Sequence, residues 1–278
     1  MTTTLRPTGP EQRDPEGVRS RAYEICVNSR PVGLLRLATD AQYGPVAGRI
    51  EQLVVDERER RRGRGAVAAL AAEEVLRGWG CARVEAGIPV RAPEALRLAA
   101  SLGYRERSRS MLKELAEEPP LPEGSVPRPM TDAEFPGWLE RGRPQLIDTL
   151  LDRGVPADQA ERRAEEAFGA LLPAGNATGG ALLRVLVHHG TEVGTVWVEV
   201  ENSPRPEAES YVYDIKVDER RRGRGHGRTL MLVAERESLA AGARRIALNV
   251  YAGNEPALGL YASLGYRPVE HHLYKPLL

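Results

Sequence analysis

The chain has 278 residues, and its 39 basic and 39 acidic side chains give a formal net charge of zero at neutral pH. A general binder of polyanions normally carries surplus positive charge, so the balance argues against nucleic acid as the main partner. With 41% hydrophobic and 28% charged residues, the composition is typical of a folded, water-soluble protein with room for two domains.

The N-terminal residues up to Gly17 are polar and lack the apolar core of a signal peptide. No apolar run reaches the length that crosses a bilayer. The two cysteines, Cys26 and Cys81, lack the neighbours of a zinc or disulfide motif. We therefore expect a cytoplasmic protein with no membrane partner and no bound metal.

The first half of the chain begins with two strand-like segments, 20–27 and 32–39. A strand, an Arg/Gly-rich turn and a helix follow from Val54, and a further strand and helix lead to SLGY at 101–104. The next segment, 116–129, is rich in proline and acidic residues and has no hydrophobic period, which is typical of a linker.

The second half opens with two helix-like stretches between Thr131 and Leu172, for which the first half has no counterpart. Two strands around a glycine turn follow from Ala181, and SYVYDIKV, at 210–217, predicts a third. An Arg/Gly-rich turn then precedes a helix that we expect from about Arg228 to Ala241. A strand, a helix and a second SLGY complete the pattern.

The two halves share an internal repeat. The segment from Gly80 to Tyr104 aligns without a gap with Gly242 to Tyr266, and both copies carry RRRGRG after a Val-Asp strand end. A duplication therefore predicts two domains, at 1–117 and 128–278, with a linker at 118–127. Aligning Gly63 with Gly223 gives the first copy two extra residues, near 59–60.

The turn of the second copy has the chemistry of a pyrophosphate site. Its alternate glycines let successive backbone N–H groups point at one place, and the following helix adds its positive end. Its sequence, Arg222-Gly223-Arg224-Gly225-His226-Gly227, resembles the R/Q-x-x-G-x-G/A loop of GCN5-related N-acetyltransferases (GNAT). Downstream, LNVYAGNEPALGLYASLGY is similar to the second CoA-binding segment of that family, N-x-x-A-x-x-x-Y-x-x-x-G-[FY].

The resemblance implies an α/β (α+β) fold of two tandem GNAT-like domains, each a mixed, mostly antiparallel sheet flanked by helices. It also implies acetyl-CoA as co-substrate and transfer of the acetyl group to a primary amine on a small molecule or peptide. In the family a tyrosine meets the sulfur of CoA, and Tyr261 matches it. A backbone N–H at a strand bulge binds the oxyanion, which here indicates the 215–217 region.

Two roles are open for Asp214, that of the general base and that of a structural hydrogen-bond acceptor, and Glu209 and Tyr211 are rival bases. Alternation along the strand places Asp214 opposite to Tyr211 and Tyr213. Asn254 is expected to cap its helix and to bond the pantetheine arm. The residues expected to bind acetyl-CoA are Ile215, Val217, Arg222, Gly223, Arg224, Gly225, His226, Gly227, Arg228, Asn249 and Asn254.

The histidine pairs, 188–189 and 271–272, are adjacent in sequence, so on strands their rings face opposite sides. That geometry is poor for sharing a metal ion, and no metal is expected.

The first copy departs from the pattern at the positions that carry the chemistry. With Gly63 aligned on Gly223, Val67 replaces Gly227, and Ala92, Gly87 and Ala99 replace Asn254, Asn249 and Tyr261. We therefore expect a degenerate N-terminal domain and catalysis by the C-terminal domain alone. The alternative is a non-catalytic acyl-CoA sensor with the same fold, and either protein could be a monomer or a homodimer.

Overall fold

A computed structural model describes residues 2–15, 17–40 and 44–277, with the side chains of 44–46 outside the description. The strands are β1 (Thr3–Pro7), β2 (Gln12–Arg13), β3 (Arg19–Val27), β4 (Arg30–Asp40), β5 (Gly44–Val55), β6 (Arg83–Pro89), β7 (Arg105–Glu114), β8 (Ser125–Pro129), β9 (Ala181–His188), β10 (Thr191–Glu199), β11 (Ser210–Val217), β12 (Arg245–Tyr251) and β13 (Arg267–Pro276). The helices are α1 (Arg64–Gly78), α2 (Pro93–Ser101), α3 (Phe135–Asp152), α4 (Ala157–Leu171), α5 (His226–Ala240) and α6 (Glu255–Ser263). Among the described residues, no helix combines the length and the apolar character needed to span a bilayer.

The chain forms two compact units that are discontinuous in sequence. Unit 1 comprises Met1–Arg107, Thr149–Ala160 and Glu270–Leu278, and unit 2 comprises Ser108–Asp148 and Glu161–Val269. Each unit contains one mixed sheet, as the resemblance implies. The domain boundaries predicted from the repeat, at 1–117 and 128–278, refer to continuous segments of the sequence and stay a prediction.

The sheet of unit 1 has the strand order β1-β3-β4-β5-β6-β13, with β2 on β3. Neighbours are antiparallel except β5 and β6. Helix α1 is rich in alanine and places its buried side chains, such as Leu76, against core residues Leu35 and Leu37 of β4. The last strand of the chain, β13, therefore completes the sheet of unit 1 by pairing with β6.

The sheet of unit 2 has the order β7-β12-β11-β10-β9-β8, and only β11 and β12 among these described strands run parallel. One face carries α5, whose Leu230 and Met231 are completely buried. The other face carries a second cluster with Trp138 of α3 and Trp197 of β10. Strand β7, which follows the first copy, supplies the edge of this sheet next to β12.

Each copy of the repeat thus gives its last strand to the other unit's sheet. A buried glutamate fixes each exchanged strand: Glu73 binds Lys275 at 2.7 Å in unit 1, and Glu235 binds Lys113 at 2.7 Å in unit 2. All four side chains match between the copies at an offset of 162 residues. Because a buried carboxylate needs a partner, these ion pairs help to define which strand occupies each sheet edge.

Candidate functional site

Strand β11 contains the bulge that positions the candidate base. Trp197 of β10 pairs with Asp214, but Val198 pairs with Val212, so Tyr213 is the extra residue. The bulge therefore lies at Tyr213 and not in the 215–217 region where the resemblance placed it. One extra residue reverses the alternation of side chains beyond it. Tyr213, whose ring stacks on Trp197 at 4.6 Å, and Asp214 consequently share one face, and the expectation of opposite faces is wrong.

Strands β11 and β12 part immediately before the bulge. Their parallel pairing covers only 210–212 and 246–248 among the described residues. Beyond those residues β11 pairs with β10, and β12 pairs with β7. The facing backbone groups of the two diverging strands are therefore available to a chain with its own amides, which the pantetheine arm of CoA has.

The glycine loop follows β11 directly. Gly223 and Gly225 have φ values of 75° and 85°, which L side chains rarely adopt, and no atom lies within 4 Å of where their Cβ would stand. Gly225 is the N-cap of α5, and no side chain caps that end of the helix. The first-turn amides of α5 and its positive dipole end therefore face open space, which suits a pyrophosphate.

The helix begins two residues earlier than predicted, because Gly225 takes the left-handed cap conformation. His226 and Gly227 are consequently its first residues. The His226 ring is buried beside the ring of His188, at 4.9 Å between centroids, so it belongs to the scaffold of the loop. Burial lowers the pKa of His226, and the neighbouring His188 adds to the shift.

The arginines of the loop differ in their surroundings. Arg222 and Arg224 are exposed, and Arg222 lies 3.4 Å from Glu219. Arg228 donates to the hydroxyl of Ser263 on α6 at 2.5 Å, which ties the first turn of α5 to the helix that carries Tyr261. Exposed guanidinium groups beside free amides complete an anion-binding surface.

Tyr261 is 6% exposed and lies in the core of unit 2. Burial raises its pKa to about 12, and the charge of Asp214 contributes to that shift. The charge of Asp214 therefore acts on the phenol of Tyr261. A phenol of this pKa stays protonated at neutral pH and can donate a hydrogen bond.

Asp214 is half-buried and lines a cavity of about 610 Å³ on the Trp197 face of the sheet. Burial raises the pKa of its carboxyl, whereas the charge of Lys216 and a hydrogen bond from the backbone of Ile215 lower it. A carboxylate whose proton affinity is increased by burial, at the wall of a cavity, has the character of a general base.

The rival bases have other roles. Glu209 lies at the opposite end of β11, where its carboxylate accepts from the backbone N–H of Arg245 at 2.8 Å and from its guanidinium at 2.6 Å. Those contacts lower the pKa of Glu209. Burial raises the pKa of Tyr211 instead, so its phenol is a poor proton acceptor at neutral pH.

One of the two asparagines lies on β12, and the other lies at the start of α6. Asn254 caps α6 as predicted, and its side-chain oxygen accepts from the N–H of Ala257 at 3.2 Å. Asn249 is exposed on β12, just past the last residue paired with β11. Ile215 and Val217 pack, partly buried, against the core of unit 2, and Val217 also lines the cavity beside Asp214.

The predicted geometry of the first histidine pair is wrong. His189 adopts φ 48° in the turn between β9 and β10, so strand alternation does not apply, and its ring lies 4.4 Å from that of His188. In the described part of the chain, no group of three or more histidine, cysteine or acidic side chains is arranged to hold a metal ion.

The alignment of the two loops also needs correction. Gly63 is the N-cap of α1 with φ 74°, so it corresponds to Gly225 and not to Gly223. The offset is then 162 residues everywhere, with no extra residues in the first copy. Glycines alternate along the loops, so a shift of the alignment by two residues still matches glycine with glycine. Gly65, and not Val67, takes the place of Gly227.

The first copy consequently keeps the whole R-x-x-G-x-G pattern from Arg60 to Gly65. Its loop differs in charge, because Glu59 stands where the second copy has an arginine. The buried carboxylate of Glu59 lies 3.6 Å from Arg62 and 3.9 Å from Arg64, and it also binds Arg30. These contacts offset the charge of Arg62 and Arg64, whereas Glu219, which contacts Arg222 in the second copy, is exposed to solvent that screens its charge.

Sequence reasoning missed the side chains that line the cavity beside Asp214. Trp138 of α3 packs edge-on against Trp197 at 5.8 Å and forms the apolar wall. Lys216 and Arg141 also line the cavity, and Lys216 donates to the carbonyl of Arg141 at 3.4 Å. The spacing of Trp138 and Arg141 on a helix face was the available signal.

Comparison with known proteins agrees with this geometry. The model of the acetyltransferase (GNAT) family matches residues 4–104 and 144–266. The mycothiol acetyltransferase of Thermomonospora curvata is 32% identical over 228 residues, which cover 79% of this chain and 71% of that protein. An uncharacterised N-acetyltransferase of Bacillus subtilis, YycN, is 27% identical over 152 residues, 54% of this chain and 96% of its own.

Two solved structures share the fold over most of the chain. A GCN5-related N-acetyltransferase from Sphaerobacter thermophilus has a TM-score of 0.60 at 20% identity and covers 92% of this chain and 80% of its own. A tandem GNAT protein from the clavulanic acid biosynthesis pathway has a TM-score of 0.53 at 21% identity, with 94% and 84% covered. At these identities the likeness establishes the tandem fold.

Proposed function

The chain belongs to the GNAT acetyltransferase family, and on that premise we propose that its unit 2 transfers the acetyl group of acetyl-CoA to a primary amine. The observation that carries the proposal is the N-terminus of α5, which no side chain caps and which follows two glycines in the left-handed conformation. This N-terminus comes after β11, the strand from which β12 diverges. The loop suits the diphosphate, and the parting strands suit the pantetheine arm.

Three groups of unit 2 would perform the chemistry. Asp214 accepts the proton of the attacking amine, directly or through water. A backbone N–H at the β11 bulge donates to the developing oxyanion. Tyr261 donates a hydrogen bond to the departing thiolate. Its raised pKa favours donation of a hydrogen bond over full proton transfer.

Unit 1 lacks the side chains for the same reaction, although it keeps the glycine pattern. At the common offset, Ala99 stands in place of Tyr261 and Gln52 in place of Asp214. Glu59 also offsets part of the positive charge of its loop. We therefore assign catalysis to unit 2 and propose that unit 1 serves the scaffold.

The proposal is tested by incubating the full chain with acetyl-CoA and a panel of amines, with release of the CoA thiol followed by a thiol reagent. Both cysteines are buried, so the protein itself contributes little signal. We expect CoA release that depends on an amine, with the acetylated amine identified by mass. Binding of acetyl-CoA without release in any arm would favour the sensor, and absence of binding would refute the assigned site.

A further inference from the structure

The cavity beside Asp214 is where an acceptor would approach the proposed base. It opens in unit 2 between α3, β10 and β11 and measures about 610 Å³, enough for a small molecule. Trp138 and Val185 give it an apolar wall. Some of its charged side chains contact a group of opposite charge and others do not. This difference indicates which charged group an acceptor must carry.

The acidic side chains of the cavity, apart from Asp214, are already engaged. Glu192 binds Arg128. Asp218 accepts from the backbone N–H of Arg220 at 2.9 Å, and Glu219 lies 3.4 Å from Arg222 of the glycine loop. Two of these three carboxylates thus contact an arginine, and the third accepts from the backbone.

The cations Arg141 and Lys216 have a different environment. Within the described ranges, no carboxylate lies within 4.0 Å of either side chain, and the contact from Lys216 to the carbonyl of Arg141 keeps the two residues adjacent. Lys216 also acts on Asp214 through its charge. The two cations beside the proposed base are therefore available to bind an anion at the wall of the cavity.

We propose that the acceptor is an amine that also bears an anionic group, a carboxylate or a phosphate, held by Arg141 and Lys216 while the amine faces Asp214. This inference rests on the proposed function. The arginine fork and the lysine ammonium match the geometry and charge of such an anion. An anion held by the two cations would place the amine of the same molecule beside the base.

The test compares matched pairs of amines in the CoA-release assay. One pair is an amino acid and its decarboxylated amine, and the other is phosphoethanolamine and ethanolamine. We expect kcat/KM to be at least about tenfold higher for the anionic member of one pair, and the pair that shows it identifies the anion. A tenfold preference corresponds to about 1.4 kcal/mol.

Two variants then test whether Arg141 and Lys216 cause the preference for the anionic amine. Arg141→Gln and Lys216→Gln should each reduce the ratio of kcat/KM between the anionic amine and its matched plain amine about tenfold. A change in the basicity of Asp214 acts on both amines and leaves that ratio unchanged. Arg162→Gln, which removes an exposed charge on α4 outside the cavity, is the matched control and should leave the ratio as it is.

Equal kcat/KM within both pairs, or an equal loss for both members in the two variants, would overturn the inference and leave the proposed function standing. If no amine in the panel is acetylated, the proposed function is wrong, and the inference fails with it. Acetyl-CoA binding and the unfolding temperature, measured on the same samples, separate that result from a misfolded variant.

Discussion

Replacing Tyr261 with phenylalanine removes one hydroxyl from the core of unit 2 and tests how the thiolate leaves. Burial and the charge of Asp214 raise the pKa of Tyr261 to about 12. A thiol has an ordinary pKa of about 8.5, so moving the proton from the phenol to the thiolate would cost about 5 kcal/mol. Donation of a hydrogen bond avoids that cost.

The size of the effect follows from the lost hydrogen bond. A hydrogen bond to a charged group contributes about 1.5–3 kcal/mol. Since the thiolate charge develops in the transition state, Tyr261→Phe should lower kcat about 10- to 150-fold. The KM for acetyl-CoA should change little, because the lost hydrogen bond is made to the thiolate that develops in the transition state and not to the diphosphate.

The assay is steady-state CoA release at saturating amine, with acetyl-CoA varied. Thermal unfolding of the variant provides the control, since the ring and its packing are retained. An unchanged kcat would remove Tyr261 from the mechanism. An increase in KM with kcat unchanged would show that the phenol only helps to bind the co-substrate.

Two further substitutions test neighbouring elements. Burial raises the pKa of Asp214, so its carboxyl favours folding while protonated and loses that contribution as the pH rises through its folded pKa. Asp214→Asn should therefore raise the unfolding temperature at pH 7 while lowering kcat at least about tenfold, and a lower unfolding temperature would indicate a structural role. Lys113→Met leaves Glu235 buried without its partner and should destabilise the fold by about 3–5 kcal/mol in denaturant unfolding. Adding Glu235→Leu should recover most of that loss, and failure to recover would show that the ion pair does not hold β7.

The elements near the site could largely be predicted, because strong local signals specify them. Gly242 follows α5 with φ 87°, and Asn254 caps α6, as their residue types indicate. The patterns of Leu and Val in 181–217 predicted three strands where the structure has them. The exchange of β7 and β13 was not predictable, because both strands come from the same repeat and either sheet edge would accept their pattern.

The wrong predictions concern register, that is, which face a residue occupies and which residue it matches in the other copy. One bulged residue at Tyr213 reversed the face of Asp214, and no residue type in that strand signals a bulge. Alternating glycines let Gly63 be matched with the wrong glycine, and only the helix cap fixes the register. Asn28, Ser29 and His189 show that turns can place ordinary side chains at positive φ, which strand alternation cannot anticipate.

The most direct measurement compares Gly225→Ala with Gly63→Ala in the full chain, with the KM for acetyl-CoA taken from CoA release. Both glycines cap equivalent helices at similar positive φ, so the backbone strain is matched between the two variants. We expect the KM to rise at least about tenfold for Gly225→Ala and to stay unchanged for Gly63→Ala. An increase confined to Gly63→Ala would place acetyl transfer in unit 1 and contradict the account.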